Sequence, residues 1–289
     1  MLTMDREGGV RAVLVTGAAK GIGRACVERL VGGGHRVYAG VRSDRDADML
    51  RALSDRVTPL FLDVTDAAQV RLAAEQVRAT LGSDTFAGVV NNAGVAVAGP
   101  LEFLPIEEMR RQFEINVIGQ VAVTQALLPL IRESRGRVVN IGSVAGRSAL
   151  PFMGPYSASK FALEALTDAL RVELAGWGIH VTIVEPGVIA TPIWDTSVNA
   201  ARRMTERMPP RFFEYYGRIV DALQKKALNG TAGGLPPDHV ARVVEHALFA
   251  TRPKTRYVVG SKARMRIMVE KLPDRWRDRL IRKQLAKLG

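Results

Sequence analysis

Residues 15–30 read VTGAAKGIGRACVERL, and their glycine pattern indicates the fold. The stretch starts at the end of an apolar run, RAVLVTG at residues 11–17, and continues at helical spacing. A glycine-rich turn between a first strand and its helix lets the backbone approach a pyrophosphate, which the helix N-terminus stabilises. Gly17, Gly21 and Gly23 give the spacing G-x-x-x-G-x-G rather than the usual dinucleotide fingerprint G-x-G-x-x-G. A tight turn that simply needs glycines is the alternative, but the position after a first strand favours nucleotide binding.

Outward from this stretch, short apolar runs alternate with longer helical patterns. The helical stretches begin near Gly21, Arg45, Asp66, Ile106 and Pro155. This alternation is typical of an α/β protein with a doubly wound, mostly parallel sheet flanked by helices. Since no repeat, low-complexity tract or Pro/Gly linker divides the chain, we predict a single domain over residues 1–289. The predicted strands, most of them continuously apolar as fully buried strands are, are RAVLVTG, HRVYAGV, RVTPLFLDV, FAGVVNNAG, GRVVNIGS and GIHVTIVEPG.

The composition suits a globular protein with a large core, because 47% of the 289 residues are hydrophobic and 24% are charged. No run approaches the roughly 18 apolar residues of a membrane span, and the N-terminus lacks the pattern of a signal peptide. The single cysteine, Cys26, excludes an internal disulfide framework and favours a reducing, cytoplasmic location. We expect no metal site, because the four histidines are scattered: His35, His180, His239 and His246.

Polar residues stand where the predicted strands end. Asp63 closes the third strand, NNAG at Asn91–Gly94 the fourth, Ser143 the fifth and EPG at Glu185–Gly187 the sixth. Open α/β sheets bind ligands at the carboxyl ends of their strands, so we expect these groups to meet at one edge. Asn116 lies inside the helix before the fifth strand, where asparagine is mildly unfavourable, which suggests a functional role.

Tyr156 and Lys160 stand four residues apart at the start of a predicted helix, in GPYSASKFALEALTDALRVEL. Positions four apart share one helical face, so the phenol and the ammonium can point to one spot. The alternative is an ordinary amphipathic helix that carries two polar residues. Its buried face would be formed by the apolar residues at helical spacing, which are Phe161, Leu163, Leu166, Leu170 and Leu174.

Together these motifs resemble the short-chain dehydrogenase/reductase family. The resemblance spans about residues 11–195 and rests on TGAAKGIG, Asp63, NNAG, Asn116, Ser143, YSASK, and PG with Thr191 beyond it. The later segment PDHVARVVEHALFATRPKTRYVVG is similar to the hydroxysteroid and retinol dehydrogenase branch. The resemblance implies a Rossmann-type fold, an oxidoreductase activity and a homo-oligomer, dimer or tetramer, formed through the helices that hold Asn116 and Tyr156.

The resemblance also assigns site residues. The catalytic set would be Asn116, Ser143, Tyr156 and Lys160. The cofactor-binding set would be Gly17, Lys20, Gly21, Ile22, Gly23, Arg42, Asp63, Val64, Asn92, Ala93, Gly94, Tyr156, Lys160, Pro186, Gly187, Val188 and Thr191. A non-catalytic nucleotide-binding protein of the same fold is the alternative, although no residue of the catalytic set is missing.

The implied chemistry moves a hydride between nicotinamide and a carbon and a proton to or from the attached oxygen. Tyr156 would be the acid/base, and we expect the charge of Lys160 to lower the pKa of its phenol. By resemblance, Lys160 also hydrogen-bonds the nicotinamide ribose, and Asn116 anchors a water that links Lys160 to solvent. Ser143 would hold the substrate oxygen as charge develops on it.

The end of the second strand bears on which nicotinamide binds. NAD enzymes place an acid about 20 residues past the glycines, whereas an arginine nearby accommodates the 2′-phosphate of NADP. Here Val41 occupies the position of the acid, Arg42 follows it, and Lys20 adds a second cation. These residues favour NADP(H) over NAD(H). As alternatives, Arg42 and Lys20 are solvated surface charges, or Asp44 is the acid because the strand runs longer.

Residues 192–235 form a long connection, which predicts a substrate lid near residues 191–236. Helices that pack on the core or on a second subunit are the alternative. We expect an apolar pocket for a steroid, retinoid, long-chain or aromatic alcohol and its carbonyl partner, with a β-ketoacyl thioester on an acidic carrier as the alternative substrate. The apolar residues behind this prediction are Met204, Met208, Phe212, Phe213, Tyr215 and Tyr216, with Leu150, Phe152 and Met153 ahead of Tyr156.

The basic tail, residues 261–289, contains ten Lys or Arg and three acids, and so supplies +7 of the formal net charge of +12. We predict a helix after Pro273 with an apolar stripe of Trp276, Leu280, Ile281, Leu285 and Leu288. A cationic helix of this kind can lie on an anionic membrane; packing on the protein's own body or across a dimer is the alternative. No nucleic-acid motif accompanies the positive charge, so we expect no nucleic-acid partner.

Overall fold

The computed structural model of the chain describes residues 10–230 and 233–287. Its strands, numbered in chain order, are β1 Arg11–Val15, β2 Arg36–Val41, β3 Val57–Phe61, β4 Thr85–Asn91, β5 Arg137–Ile141, β6 His180–Pro186 and β7 Arg256–Val259. They form one sheet in the order β3-β2-β1-β4-β5-β6-β7, with every neighbouring pair parallel. The predicted doubly wound Rossmann-type fold is confirmed. The edge strand β7 was missed, because its apolar run, YVV, is only three residues long.

Helices cover both faces of the sheet. They are α1 Gly21–Gly32, α2 Asp44–Arg51, α3 Ala67–Thr80, α4 Ile106–Phe113, α5 Gly119–Ser134, α6 Gly154–Glu173, α7 Ile193–Thr205, α8 Pro210–Gly230, α9 Asp238–Phe249, α10 Ser261–Val269 and α11 Asp274–Leu285. Each predicted helix start lies within one residue of an observed one. Helix α3, for example, is capped by Asp66, whose carboxylate accepts from the N–H groups of Ala68 and Gln69.

The core lies in two layers, one on each face of the sheet. On one face α1 and α9 pack against the strands through residues such as Val27, Leu30 and Val244. On the other face α3 and α5 bury Val77 and Leu127. The polar carboxyl edge of the sheet is left between these layers, as in other open α/β proteins. Cys26 lies in the first layer, where burial raises the pKa of its thiol to about 12.

A π-helical turn, Glu114–Ile118, joins α4 and α5 into one continuous helix from Ile106 to Ser134. By length and composition alone this helix could cross a membrane. It contains no uninterrupted apolar run of membrane-spanning length, and the sequence therefore did not indicate it. Half of its most apolar stretch is buried inside the protein, against β4 and α3. Buried core helices of globular proteins share this character.

One prediction about an apolar face needs correction. On α6, Leu163 and Leu174 are buried, but Phe161 and Leu166 are exposed, so the predicted stripe is only partly covered by this chain.

The segment predicted to act as a lid, near residues 191–236, contains two helices, α7 and α8, in the part of it that the structure describes. Its role as a lid stays a prediction.

Candidate active site

A cleft of about 460 Å³ opens at the carboxyl edge of the sheet, where β1 lies beside β4. From β1 the chain continues to β2 on one side, and from β4 it continues to β5 on the other side. Open α/β sheets bind ligands at such a point, where the strand order reverses. Its volume lies within the range of small-molecule sites. Of the predicted residues, all line the cleft except Gly23, which is buried beneath it, and Val188, whose side chain points to solvent.

The glycine turn is locked to the NNAG segment. The amide of Asn92 donates to the carbonyl oxygens of Thr16 (2.9 Å) and Gly17 (3.1 Å), while the hydroxyl of Thr16 accepts from two N–H groups of that segment. Gly17 has a φ of +62°, which favours glycine. A Cβ on Gly23 would lie 2.2 Å from the oxygen of Gly17, so no larger residue fits without a shift.

This turn fits a dinucleotide on its own geometry. Gly21 and Ile22, in the first turn of α1, line the cleft, and the N–H groups of a first helical turn have no partner within the helix. They carry the positive end of the helix dipole, which stabilises phosphate groups. Lys20 lines the cleft directly beside them.

The end of β2 presents cations and acids to the same cleft. Strand β2 ends at Val41 and Asp44 starts α2, so Asp44 does not line the cleft, although Asp46 does. Arg42 lies 3.7 Å from the carboxylate of Asp63. Burial, the largest influence, acts to raise the pKa of Asp63, but hydrogen bonds from Thr65 and the charge of Arg42 hold it below its usual value.

Ser143, Tyr156 and Lys160 meet at the other end of the cleft. Ser143 follows β5 and forms a side-chain hydrogen bond with Tyr156. The Nζ of Lys160 lies 5.9 Å from the centre of the Tyr156 ring and donates to the carbonyl oxygen of Ile141 at 2.7 Å. The ammonium is therefore buried and held by backbone, one helical turn from the phenol.

The pKa values of this pair differ from the expectation. Burial raises the pKa of Tyr156, and the hydrogen bond with Ser143 and the charge of Arg266 offset only part of that rise. The prediction that Lys160 lowers the pKa of Tyr156 is therefore wrong for this arrangement, in which the ammonium donates a hydrogen bond to the carbonyl oxygen of Ile141. Burial lowers the pKa of Lys160 itself to about 8, against the opposing influence of Glu164.

Asn116 lies in the π-helical turn and is fully buried. Its side-chain oxygen accepts from the N–H of Val95 and its amide donates to the carbonyl oxygen of Val95, both at 2.9 Å. The same amide reaches the hydroxyl of Ser159, next to Lys160, at 3.2 Å. Asn116 thus joins the loop after β4 to helix α6. Such π-turns recur at functional sites, and nothing in the local sequence distinguishes this one from regular helix.

A pair of buried carboxylates lies behind Lys160. Glu164 follows Lys160 by one turn, and Glu185, the last residue but one of β6, has no exposed side-chain surface. Arg256 bridges them at 3.2 Å and 3.4 Å, and Arg147 lies 3.3 Å from Glu185. Burial, followed by the charge of Glu185, raises the pKa of Glu164 to about 7. Of this network only Glu185 is marked in the sequence, by its place at the end of a predicted strand, because the members come from four separate segments.

Helix α7 supplies one wall of the cleft, against the loop after β4. Ile193, Trp194 and Ala200 line the cleft, and the hydroxyl of Ser197 donates to the carbonyl oxygen of Ala96 at 2.6 Å. The apolar residues predicted to form the pocket do not line the cleft; instead, Phe103, Phe152, Phe212 and Tyr216 form an aromatic cluster that packs α8 beside it.

Phe152, four residues before Tyr156, has a φ of +66°, a strained conformation for an aromatic residue. Its carbonyl oxygen accepts from the N–H of Gly99 at 2.8 Å, and its ring contacts Tyr216. Such strain persists only where surrounding contacts impose it. The loop that leads into Tyr156 is therefore held by the aromatic cluster.

Arg266 of α10 reaches the same loop from the opposite side. Its Nε donates to the hydroxyl of Ser148 at 2.9 Å, and a second nitrogen donates to the carbonyl oxygen of Ser148. The guanidinium is close enough to Tyr156 for its charge to lower the pKa of the phenol. This contact joins residues 118 positions apart, and the sequence offered no sign of it.

Comparison with known proteins gives consistent results. The short chain dehydrogenase family matches residues 11–202. An NADPH-dependent 3-dehydrocapnine reductase of Ornithobacterium rhinotracheale is 37% identical over 96% of this chain and 99% of its own length. Human retinol dehydrogenase 5 is 38% identical over 88% of this chain and 81% of its own. A short chain dehydrogenase/reductase of Burkholderia phymatum, solved in complex with NAD, superimposes with a TM-score of 0.78 at 25% identity, covering 92% of this chain and 94% of its own.

Proposed function

Since this chain belongs to the short-chain dehydrogenase/reductase family and is an oxidoreductase of that family, we propose that it uses NADP(H) to interconvert a hydrophobic alcohol and its ketone or aldehyde. The observation that carries the proposal is that Asn116, Ser143, Tyr156 and Lys160 line one cleft together with the glycine turn after β1. The predicted resemblance to the retinol dehydrogenase branch is confirmed by the similarity to retinol dehydrogenase 5.

Tyr156 would exchange the proton of the substrate oxygen. Its pKa is raised by burial, so it is present as the phenol at neutral pH and suits proton donation to a carbonyl. Ser143 would hold the substrate oxygen beside the phenol. The nicotinamide would supply or accept the hydride.

Lys160 and Asn116 would support this step. With a pKa near 8, Lys160 can hold or release a proton around neutral pH. In our proposal it contacts the ribose of the cofactor, while Asn116 fixes helix α6 against the loop after β4. The hydrogen bonds of Asn116 to Val95 give it a positioning role besides the water-anchoring role that the family resemblance implies.

The preference for NADP(H) rests on Arg42 and Lys20, which both line the cleft, and on Val41 at the position of an acid. The NADPH-dependent relative supports this preference. The relative solved with NAD keeps NAD(H) as the alternative, and Asp46 is the acid in the cleft that would serve it.

The substrate would be largely apolar, because Ile193, Trp194 and Ala200 of α7 line the cleft, with only Thr196 and Ser197 as polar side chains of that helix. A retinoid, a steroid, a long-chain alcohol or an aromatic alcohol fits this wall. A β-ketoacyl thioester on an acidic carrier is the second candidate, favoured by the net charge of +12. We propose that α7 and α8 act as the substrate lid.

Absorbance at the reduced-nicotinamide band tests these assignments. The purified protein is mixed with NADPH or NADH and a panel of hydrophobic ketones and aldehydes, with a β-ketoacyl thioester as comparison. We expect oxidation of NADPH with the hydrophobic carbonyls. Turnover of the thioester alone would support the second candidate. Nucleotide binding without turnover of any substrate would support a non-catalytic binding protein.

We further propose a homo-oligomer formed through α5 and α6. Ile118, Phe161 and Leu166 are large apolar residues that this chain leaves exposed next to those helices. Large exposed apolar residues that cluster are typical of subunit interfaces. Light scattering on the purified protein should give the mass of a dimer or tetramer, and a monomer would contradict the proposal.

A cytoplasmic location is also a proposal. It is supported by Cys26, the only cysteine of the sequence, which is a buried free thiol. Fractionation of cells that express the chain would test it, with soluble and membrane fractions assayed separately. A membrane contact through the basic tail is compatible with this location.

A further inference from the structure

Helices α10 and α11 expose large apolar side chains to solvent. The exposed fractions are 63% for Met265, 68% for Met268, 64% for Trp276 and 46% for Leu280. Helix α11 has no buried residue along its whole length. The alternative that its stripe packs on the body of the same chain is therefore wrong for Trp276 and Leu280, although Ile281 and Leu285 are half-buried; Leu288 lies outside the described residues.

The inner side of α11 explains why these residues point outward. Arg277 donates to Glu270 at the end of α10 (2.6 Å) and to Asp274 (2.8 Å), so it fixes the first turn of α11 to α10. Ile281 and Leu285, one and two helical turns beyond Arg277, lie on the same side of the helix. Trp276 and Leu280 share a neighbouring, exposed face, because each precedes a residue of this side by one position, about 100° around the helix.

Basic side chains flank the exposed pair. Arg279, Lys283 and Lys287 follow Trp276 and Leu280 at intervals of three or four residues, which places them around the same face. Within the described part of the chain none of the three forms an ion pair, whereas Glu270 and Asp274 are both occupied by Arg277. The face therefore combines a tryptophan and a leucine with uncompensated positive charge.

We propose that this face of α11 is a docking surface for an anionic lipid bilayer. We call Trp276, Leu280 and the three flanking cations the tail surface. Tryptophan and leucine on one side of a short helix insert at the headgroup boundary, and lysine and arginine beside them bind anionic headgroups. A second copy of this chain is a poorer occupant, because two such surfaces, each in a segment with a charge of +7, would repel each other.

The tail surface is joined to the reactive end of the cleft. Helix α10 carries Arg266, which holds the loop before Tyr156 through Ser148. Docking would therefore bring the cleft to the lipid surface, where apolar substrates dissolve. This last consequence rests on the proposed function, whereas lipid binding itself does not.

Flotation with vesicles tests the proposal. The full chain is mixed with phosphatidylcholine vesicles that contain about 30% phosphatidylglycerol, or with phosphatidylcholine alone, at low and at high salt. We expect flotation with the anionic vesicles at low salt, loss of it at high salt, and little flotation with the neutral vesicles.

Two sets of substitutions locate the surface. Replacing Arg279, Lys283 and Lys287 by Gln should weaken partition roughly 100-fold, since each basic residue near an anionic surface contributes about fivefold. The matched control replaces the exposed Arg45, Arg71 and Arg110 of other helices and should retain partition to within about fivefold. Trp276→Gln should abolish the blue shift of tryptophan fluorescence on vesicles, whereas Trp177→Gln, at another exposed tryptophan, should keep it.

Several outcomes would overturn the proposal. They are no flotation of the intact protein, equal flotation on neutral vesicles, and equal losses in the control and tail variants. A smaller oligomer in Trp276→Gln, measured by light scattering without lipid, would assign the surface to a second copy. Retention of DNA by the intact protein, lost in the triple variant while vesicles are not bound, would assign it to nucleic acid. Unchanged melting temperatures would show that the variants fold.

Discussion

The charges behind Lys160 and the charges of helix α11 are placed in opposite ways. Around Lys160, Glu164 and Glu185 are buried, and their partners Arg147 and Arg256 belong to the same chain. On α11 the basic residues other than Arg277 are exposed and, in the described residues, have no acidic partner, beside an exposed tryptophan. Burial makes a charge costly unless the protein supplies its partner. The fold therefore supplies the charge partners of the first region, although one oxygen of Glu164 and one of Glu185 have no hydrogen-bond partner among the described residues. The charges of the second region are instead left to solvent and to the proposed lipid surface.

This difference predicts that substitutions in the first region change chemistry and stability, while those on α11 change only association.

The largest effect should come from Tyr156→Phe, which removes the transferable proton and keeps the ring beside Lys160. We expect kcat to fall by about 10²–10⁴-fold, the usual contribution of general acid–base catalysis. The dissociation constant for the nicotinamide cofactor should stay within about threefold. Reduced-nicotinamide absorbance measures the first quantity and calorimetry the second.

Tyr216→Phe is the matched control. Its phenol also donates a hydrogen bond, to Glu102 at 2.8 Å, but does not line the cleft. Near-normal turnover in Tyr156→Phe, or an equal loss in Tyr216→Phe, would refute the assignment of Tyr156.

Glu164→Gln should change how stability depends on pH. The pKa of Glu164 is raised from 4.5 to about 7, so between these values the folded protein binds a proton that the unfolded chain has lost. The free energy of unfolding of the native protein should therefore decrease as pH rises from about 4.5 to about 7. Glu164→Gln removes this decrease, with an upper limit of about 3 kcal/mol at 1.36 kcal/mol per pH unit.

Urea denaturation at pH 5 and pH 8 measures this effect. The free energy of unfolding of Glu164→Gln minus that of the native protein should be larger at pH 8 than at pH 5. Glu133→Gln, an exposed acid paired with Arg78, should show no such difference. A constant offset in Glu164→Gln at the two pH values would mean that the carboxyl titrates normally.

At the mouth of the cleft, Arg42→Ala should reduce the preference for NADPH over NADH at least about tenfold. A charge-assisted hydrogen bond to phosphate contributes about 1.5–3 kcal/mol, and 1.4 kcal/mol corresponds to tenfold. The comparison is between the kcat/KM values for the two cofactors, so that a general loss of activity cancels. Arg45→Ala, on the outer side of α2, is the control. An unchanged ratio would contradict the role of Arg42.

The smallest effect should be at Arg266, which joins the two regions. Its charge acts to lower the pKa of Tyr156. In Arg266→Met, the pH at which the rate of alcohol oxidation rises should therefore shift to a higher value. We expect a loss of kcat at neutral pH of about fivefold, since a partly screened charge contributes on the order of 1 kcal/mol.

Arg266→Lys should restore much of the pH profile, because it keeps the charge while losing the planar contact with Ser148. Arg264→Met, at an exposed neighbour on α10, should leave the profile unchanged. A loss of activity without any shift of the profile would assign to Arg266 a purely structural role.

The sequence by itself determined the order of the fold and most of the cofactor cleft. Continuous apolar runs indicate strands buried on both faces, and the glycines at 17, 21 and 23 mark the turn that follows the first of them. Polar residues at strand ends must meet, because the ends of parallel strands share one edge. The position of Ser143 at this edge follows from these local patterns, whereas the placement of Tyr156 and Lys160 in the cleft was implied by the family resemblance.

Only the tertiary structure decided which groups are buried and what each one contacts. Glu164 and Glu185, Arg266 and Ser148, and Asn116 and Val95 are pairs separated by 21 to 118 positions in the chain. The local periodicity of the sequence does not predict such contacts. The pKa of Tyr156 was mispredicted for the same reason, because it depends on burial and on where the ammonium of Lys160 points. The exposure of Trp276 is likewise decided by the tertiary structure, in which the body of the protein does not cover this side chain. An amphipathic pattern specifies a face of a helix but not what packs against it.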